Sequence, residues 1–306
     1  MVSPGSLLDD ILASDTLRFA WRRVEANAGT PGGDGISLAR FALRLDANLI
    51  ALADDVRAGT YRPGMPRHLS LQIGAKVRDL DVLPVRDRVL QRATLDVLTP
   101  RLDPGFLPCS FGYRVGRSLQ DAVACIVHLR ERGLRWVVDA DIADCFASFD
   151  HALMTRFAAA VIPDPAVCRL LDLWMATSPR RERPRRRGIL LGAPISPLLC
   201  NIYLHHLDIG LHLRRFQIVR YADDFVVLCK SEAHAEAGLR ATEKVLHGLH
   251  LELNHAKTRL VNFDRGFDFL GVHFHGNHYR YEVEGKTIVV DELPPDDFYY
   301  EADGYR

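Results

Sequence analysis

Two periods organise the apolar positions of this chain. Spacings of three and four mark helix, while alternation or short apolar runs between turn residues mark strand. Residues 15–60 have helical spacing, interrupted by GTPGGDG at 29–35, a glycine-rich turn. Residues 66–84 alternate, which predicts short strands, and Asp87 to Leu98 reads as an amphipathic helix. SFGYRVGRS at 110–118 is an irregular loop ahead of a helix over about 119–132. WVVDADI at 136–142 is strand-like, with a helix expected from about Ala143 and further helices at 164–177, 197–208 and 232–249. IVRYADDFVVLCKS at 218–231 places two strand-like runs around Ala-Asp-Asp and reads as a hairpin. Strands follow near 258–263 and 267–275. This order predicts an α+β fold with an antiparallel sheet and helices on one face.

Composition leaves that picture intact. The 306 residues are 48% hydrophobic and 25% charged, which excludes a disordered tail protein and a collagen-like chain. No apolar run is long enough for a membrane helix, and the acidic start MVSPGSLLDDILASD does not read as a secretory signal. The six cysteines form no CxxC pair, so neither a zinc ribbon nor a disulfide framework is expected, and the expected location is the cytoplasm. Net charge is zero but unevenly spread. Residues 276–306 carry eight acids against three bases, leaving the rest of the chain with 36 bases and 31 acids. Six arginines crowd into 180–187, where a solvated run and a phosphate-tracking run are equally good readings.

The carboxylates carry the chemistry. Asp223 and Asp224 sit together at a hairpin tip between apolar strands, where like charges repel unless a cation neutralises them. A plain Asp-rich turn is the alternative for this pair alone. Asp139 and Asp141 are two apart on a strand and so share a face, with Asp141 ending the apolar run. Asp141 with the hairpin pair would make an oxygen-donor site for Mg²⁺, and two such ions can clamp the attacking and leaving oxygens of a phosphoryl transfer.

Taken in order, the motifs resemble those of reverse transcriptases of the group II intron-like class, which includes CRISPR-associated enzymes. AWRRVEANAGTPGGDG resembles the N-terminal block, KVRDLDVLPVRDRVLQRA the fingers block, and SFGYRVGRS the family's SYGFRPGRS. DADIADCFASFDH resembles motif A, GILLGAPISPLLCNIYLHHLD motif B, YADD motif C, LELNHAKTRL motif D and FDFLGV motif E. The resemblance covers about 20–275. It implies a right-hand polymerase with fingers and an N-terminal extension over 1–132, a palm over 133–275 to whose junction with the fingers 152–200 contribute, and an acidic tail or linker over 276–306. The helical thumb is missing from this expectation, because HFHGNHYRYEVEGKTIVV reads as strand-rich.

The resemblance also implies roles. Asp141 and Asp223 would hold Mg²⁺, with Mn²⁺ as an alternative, Asp224 would support them, and Ile142 joins the metal contacts. Lys257 would protonate or steady the leaving pyrophosphate. Lys76 and Arg78 become triphosphate clamps and Phe146 a gate against the 2′-hydroxyl. Leu191 and Gly192 line the nucleotide site, with Leu191 standing where the family has glutamine. Arg114 and Arg117 would meet template or nucleotide phosphates, and Phe269, Leu270 and Gly271 would form the primer grip, the glycine admitting a second backbone. Asp139 has no role in the pattern. The implied activity is primer extension with dNTPs on an RNA template from a DNA or RNA primer. The favoured setting is spacer acquisition from RNA beside a CRISPR adaptation integrase, which the tail's Phe298, Tyr299 and Tyr300 would help to dock. A group II intron or defence-associated enzyme is the alternative, and a non-catalytic RNA-binding scaffold is the rival from another class.

Overall fold

The computed structural model describes residues 5–73, 76–177, 186–283 and 286–290. Residues 291–306 of the expected tail at 276–306, and most of the arginine run, lie outside these. In chain order the elements begin α1 (Leu7–Leu12), α2 (Ser14–Ala26), α3 (Leu38–Ala42), α4 (Leu45–Arg57), β1 (Arg67–Ile73), β2 (Lys76–Val82) and α5 (Val85–Leu102). Next come α6 (Leu119–Glu131), β3 (Trp136–Ala140), α7 (Cys145–Ser148), α8 (His151–Val161), α9 (Pro165–Met175) and α10 (Ser196–His212). The remainder is β4 (Gln217–Tyr221), β5 (Asp224–Cys229), α11 (Glu232–Gly248), β6 (Arg259–Asn262), β7 (Phe267–Phe269), β8 (Val272–His275), β9 (His278–Val283) and β10 (Lys286–Val290). No helix among the described residues is long and apolar enough to cross a membrane.

The chain divides into two compact units, Met1–Pro104 with Phe149–Leu199 and Gly105–Ser148 with Cys200–Arg306. In the second unit α6 packs on β4 and β5. Where a single helix was expected from Ala143, the chain makes the short α7 and then restarts as α8. Asp144 has φ +44°, and the Asp150 carboxylate accepts from Leu153 N–H at 3.0 Å, so it caps a new helix.

In the first unit, α1, α2 and α4 pack around α5. The expectation of an amphipathic α5 fails for that reason: Val85, Asp87, Leu90, Gln91, Thr94 and Val97 are all buried, around much of its circumference. The buried Asp87 is answered by a polar chain. Tyr61 Oη donates to Asp87 Oδ1 at 2.7 Å, Gly64 N–H donates to Oδ2 at 2.8 Å, and Trp174 Nε1 donates to Tyr61 Oη at 3.0 Å. Strands β1 and β2 form an antiparallel hairpin from Arg67↔Val82 to Ile73↔Lys76.

The second unit is built on an antiparallel sheet in the order β4-β5-β3-β6. The expected α+β class holds, but helices cover both faces instead of one. Leu119, Val123 and Ile126 of α6 cluster with Val219, Val226 and Leu228 on one side. On the other, α11 brings Gly238 against Phe216 and Cys229. The reason is local: every β5 residue after Asp224 is buried, so neither face can meet water. A second antiparallel sheet, β10-β9-β8-β7, joins the α6 side through Phe267, Phe269, Phe274 and Tyr279. Its β7–β8 hairpin turns at Leu270 and Gly271, with φ +54° and +76°, between paired Phe269 and Val272. Gly271 thus occupies a left-handed position of the hairpin turn, where glycine carries no steric penalty.

Candidate active site

The β4–β5 turn is two residues long. Tyr221 pairs with Asp224, and Ala222 takes the left-handed conformation at φ +59°. A left-handed non-glycine residue stores strain and needs its surroundings to hold it. Three contacts do so. Arg220 Nη1 donates to the Ala222 carbonyl at 2.8 Å. Gly112 lies so close that a Cβ there would stand 2.3 Å from Ala222 N. Asn201 Nδ2 fixes Gly112 by donating to its carbonyl at 2.9 Å. The loop glycine of SFGYRVGRS is therefore a packing requirement of the acidic turn.

Asp141 follows β3 directly. Its carbonyl accepts from Asn254 N–H at 2.8 Å, which ties it to the segment ahead of β6. Lys257 Nζ lies 3.4 Å from Asp141 Oδ1. Burial raises the pKa of Asp223, and the nearby Asp141 charge raises it further. Asp141 follows β3, which pairs with β5, and Asp223 lies in the turn that leads into β5. Asp141 and Asp224 also line one open cavity of about 430 Å³ with Lys257, Phe269 and Leu270. Asp139 lines it too, paired with Arg259 at 3.0 Å; burial raises its pKa and Arg259 opposes that rise.

The donor chemistry fits a hard divalent cation: oxygen ligands, mutual repulsion, and an ammonium already drawn to Asp141. Among the described residues, however, no three His, Cys, Asp or Glu side chains stand as a ready metal-binding group. Asp223 and Asp224 are adjacent at a strand start, so their side chains diverge, Asp223 being partly buried and Asp224 exposed. The Ile142 side chain is buried and apolar, so it could contribute only its backbone oxygen.

Other expected residues fall within one unit or the other. In the first unit, the backbones of Lys76 and Arg78 lie on β2, while their side chains lie outside the described residues. The Leu191 carbonyl accepts from Asp81 N–H of the same strand at 3.1 Å, so the Leu191–Gly192 loop docks on the β1–β2 hairpin. Gly192 has φ +90°, and the Leu191 side chain is 44% exposed. In the second unit, Phe146 is half-buried on α7. Arg114 lies in the loop before α6. It is buried, its Nη1 donates to the Leu107 and Ser110 carbonyls at 2.8 and 2.9 Å, and its guanidinium lies over Phe106. Arg117 is more open and donates to the Pro108 carbonyl at 2.8 Å. Phe269 is core, and Leu270 is partly buried beside it.

Sequence reasoning missed Arg220, Asp208, Asn201 and Ser110, which meet under the turn. The available signal was a lone arginine inside the apolar run IVRY and a lone aspartate ending the apolar helix.

The family model described as reverse transcriptase (RNA-dependent DNA polymerase) matches residues 73–274. Protein YkfC of Escherichia coli (strain K12) is 30% identical over 312 residues, covering 87% of this chain and 81% of that protein. The group II intron-encoded protein LtrA of Lactococcus lactis subsp. cremoris is 30% identical over 211 residues, 65% of this chain and 34% of LtrA. A solved structure titled as a partial Cas6-RT-Cas1–Cas2 complex superposes with a TM-score of 0.51 at 28% identity, covering 80% of this chain and 43% of that one.

Proposed function

The chain belongs to the reverse transcriptase family, the RNA-dependent DNA polymerases, and from that premise we propose that it extends a primer 3′-hydroxyl with dNTPs on an RNA template at Asp141 and Asp223. The observation that supports this is the pairing of β3 with β5, which sets Asp141 at the end of β3 beside the β4–β5 turn that carries Asp223. Asp141 and Asp223 would hold Mg²⁺, with Asp224 in support and the Ile142 carbonyl as a neutral oxygen donor. The ions, when bound, neutralise charge on the attacking and leaving oxygens.

The protein's own groups do the rest. Lys257 carries a proton and a positive charge 3.4 Å from Asp141, the right place to steady a departing pyrophosphate. Phe146, five residues beyond Asp141, excludes a 2′-hydroxyl by bulk. Lys76 and Arg78 clamp the triphosphate, and the Leu191–Gly192 loop docked on the same hairpin shapes the nucleotide site. Arg117 meets the template backbone, whereas Arg114 braces the loop that carries it. The apolar edge made by Phe269 and Leu270 seats the primer terminus beside the cavity. Primer extension on poly(rA)/oligo(dT) tests this reading: Mg²⁺-dependent DNA synthesis is expected, and none from purified wild-type protein would refute it.

The finer setting we propose is acquisition of spacers from RNA beside an adaptation integrase. The likeness to the Cas6-RT-Cas1–Cas2 complex supports it, although the chain spans 43% of that protein. The match to LtrA supports a group II intron setting as the second reading.

A further inference from the structure

Arg220 is a fully buried charge two residues from the acidic turn, and its side chain is completely used. A guanidinium has five N–H donors in a planar fork. Here Nε donates to Asp208 Oδ1 at 2.8 Å and Nη2 to Asp208 Oδ2 at 2.7 Å. Nη2 also donates to Ser110 Oγ at 2.8 Å, and Nη1 donates to Asn201 Oδ1 at 3.1 Å and to the Ala222 carbonyl at 2.8 Å. Five donors thus meet five acceptors. Asp208 is also fully buried, so each ion is compensated by the other. Burial alone would lower the pKa of Arg220, and the Asp208 charge and hydrogen bonds reverse that.

A buried ion pair is weak evidence for stability, since an apolar pair of the same shape often does as well. Its value is directional. The fork joins two separate segments to the strand that leads into the acidic turn: the loop before α6 through Ser110, and α10 through Asn201 and Asp208. The same Asn201 holds Gly112 against Ala222, and Arg220 N–H and C=O bond Cys109 and Phe111, so the loop is sewn along β4. The turn that carries Asp223 is reached twice, by the Arg220 bond to the Ala222 carbonyl and by Gly112 packed against Ala222.

We infer that Arg220, with Asp208, Asn201 and Ser110, is a positioning cluster that fixes the Ala222–Asp223 turn and sets where the Asp223 carboxylate stands relative to Asp141. The cluster touches neither substrate nor metal; it acts through the Ala222 carbonyl and Gly112. This inference rests on the proposed polymerase reading, but its test does not depend on polymerisation alone.

The decisive comparison is among wild type, Asn201→Ala, Ser110→Ala and a control, Tyr203→Phe. The control removes a buried bond from the same helix, Tyr203 Oη to the Leu249 carbonyl at 2.6 Å, away from the turn. Each purified protein is assayed for melting temperature, for Mn²⁺ affinity by electron paramagnetic resonance, and for kcat and KM in primer extension. Misplacing a reacting group by an ångström costs up to about 100-fold in rate. Asn201→Ala is expected to lose about 10- to 100-fold in kcat and about 10-fold in Mn²⁺ affinity, with KM for dNTP nearly unchanged. Ser110→Ala should move the same readouts in the same direction by less, and it decides the matter if Asn201→Ala does not fold. Tyr203→Phe should melt lower with Mn²⁺ affinity and kcat intact. Wild-type Mn²⁺ affinity and kcat in both cluster variants, whatever their melting temperatures, would overturn the inference. A wild type that binds Mn²⁺ but copies no template would sink the polymerase reading, while the Mn²⁺ comparison still judges the cluster. Absence of Mn²⁺ binding by wild type would overturn both.

Discussion

At the residue scale, the Asp141–Asp223 pair sets a clear expectation. Asp141→Ala or Asp223→Ala should abolish DNA synthesis while the protein stays folded. Removing either acid relieves a like-charge repulsion, so in Mg²⁺-free buffer the melting temperature should hold or rise. The Lys257 partner lost in Asp141→Ala is two-thirds exposed, and an exposed pair contributes little. Activity assays and thermal melts on the two variants check this. If the half-buried Phe146 ring is the proposed bulk against a 2′-hydroxyl, Phe146→Val should raise rNTP incorporation relative to dNTP. An unchanged ratio would make Phe146 a packing residue. Leu191→Gln should lower KM for dNTP by roughly tenfold at most, the scale of one net hydrogen bond of about 0.5–1.5 kcal/mol. Leu191 is exposed enough for the amide to be accommodated, so an unchanged KM would mean that no sugar hydroxyl comes within its reach.

At the element scale, the Tyr61–Asp87–Trp174 chain ties α5 to α9 and to the strand entry at Gly64 within the first unit. Tyr61→Phe would leave a buried carboxylate oxygen and an indole N–H without partners, a loss of about 1–3 kcal/mol. Urea denaturation measures it. The pH dependence has a definite sign. Burial raises the pKa of Asp87 in the folded chain above its ordinary value of 3.8, despite hydrogen bonds from Tyr61 and Gly64. The folded state therefore favours the protonated carboxyl more than the unfolded state does. That contribution is fully present below pH 3.8 and is lost as pH rises through the folded pKa. Asp87→Asn removes this titration, so the wild-type minus variant stability should fall as pH rises over that window. A difference that stays flat would show that Asp87 does not titrate across unfolding. These elements were mostly legible from periodicity: α9, α10, α11 and the acidic hairpin lie where their patterns put them. Periodicity misled for α5, which helices surround, and at Ala143, where capping by Asp150 divides one pattern into two helices.

For the whole molecule, charge separates along the chain. Residues 276–306 are acidic and the remainder is basic by five charges, so the body suits a nucleic-acid backbone and the tail suits a basic protein surface. Under the proposed role, adding an adaptation integrase should lengthen the products of the isolated chain, and deleting residues 291–306 should remove that gain. Long products from the isolated chain, indifferent to both changes, would leave the intron setting as the better reading.

The sequence by itself determined most of the order of elements, the antiparallel α+β class and which acids are candidates. Each of these is written in local spacing: period two, period 3.6, or two carboxylates at a turn between apolar runs. The tertiary structure decided what holds those acids. Arg220 finds Ser110 from 110 positions away and Asp208 from 12, and nothing in the run IVRY says which groups will meet its five donors. Arg114 spends Nη1 on the Leu107 and Ser110 carbonyls, partners that its motif does not announce. Gly112, legible as a loop residue, is required because Ala222 lies against it. The physical reason is common to all three. A buried polar group must be answered by specific partners at hydrogen-bond distance, and only the folded chain brings distant segments close enough to supply them.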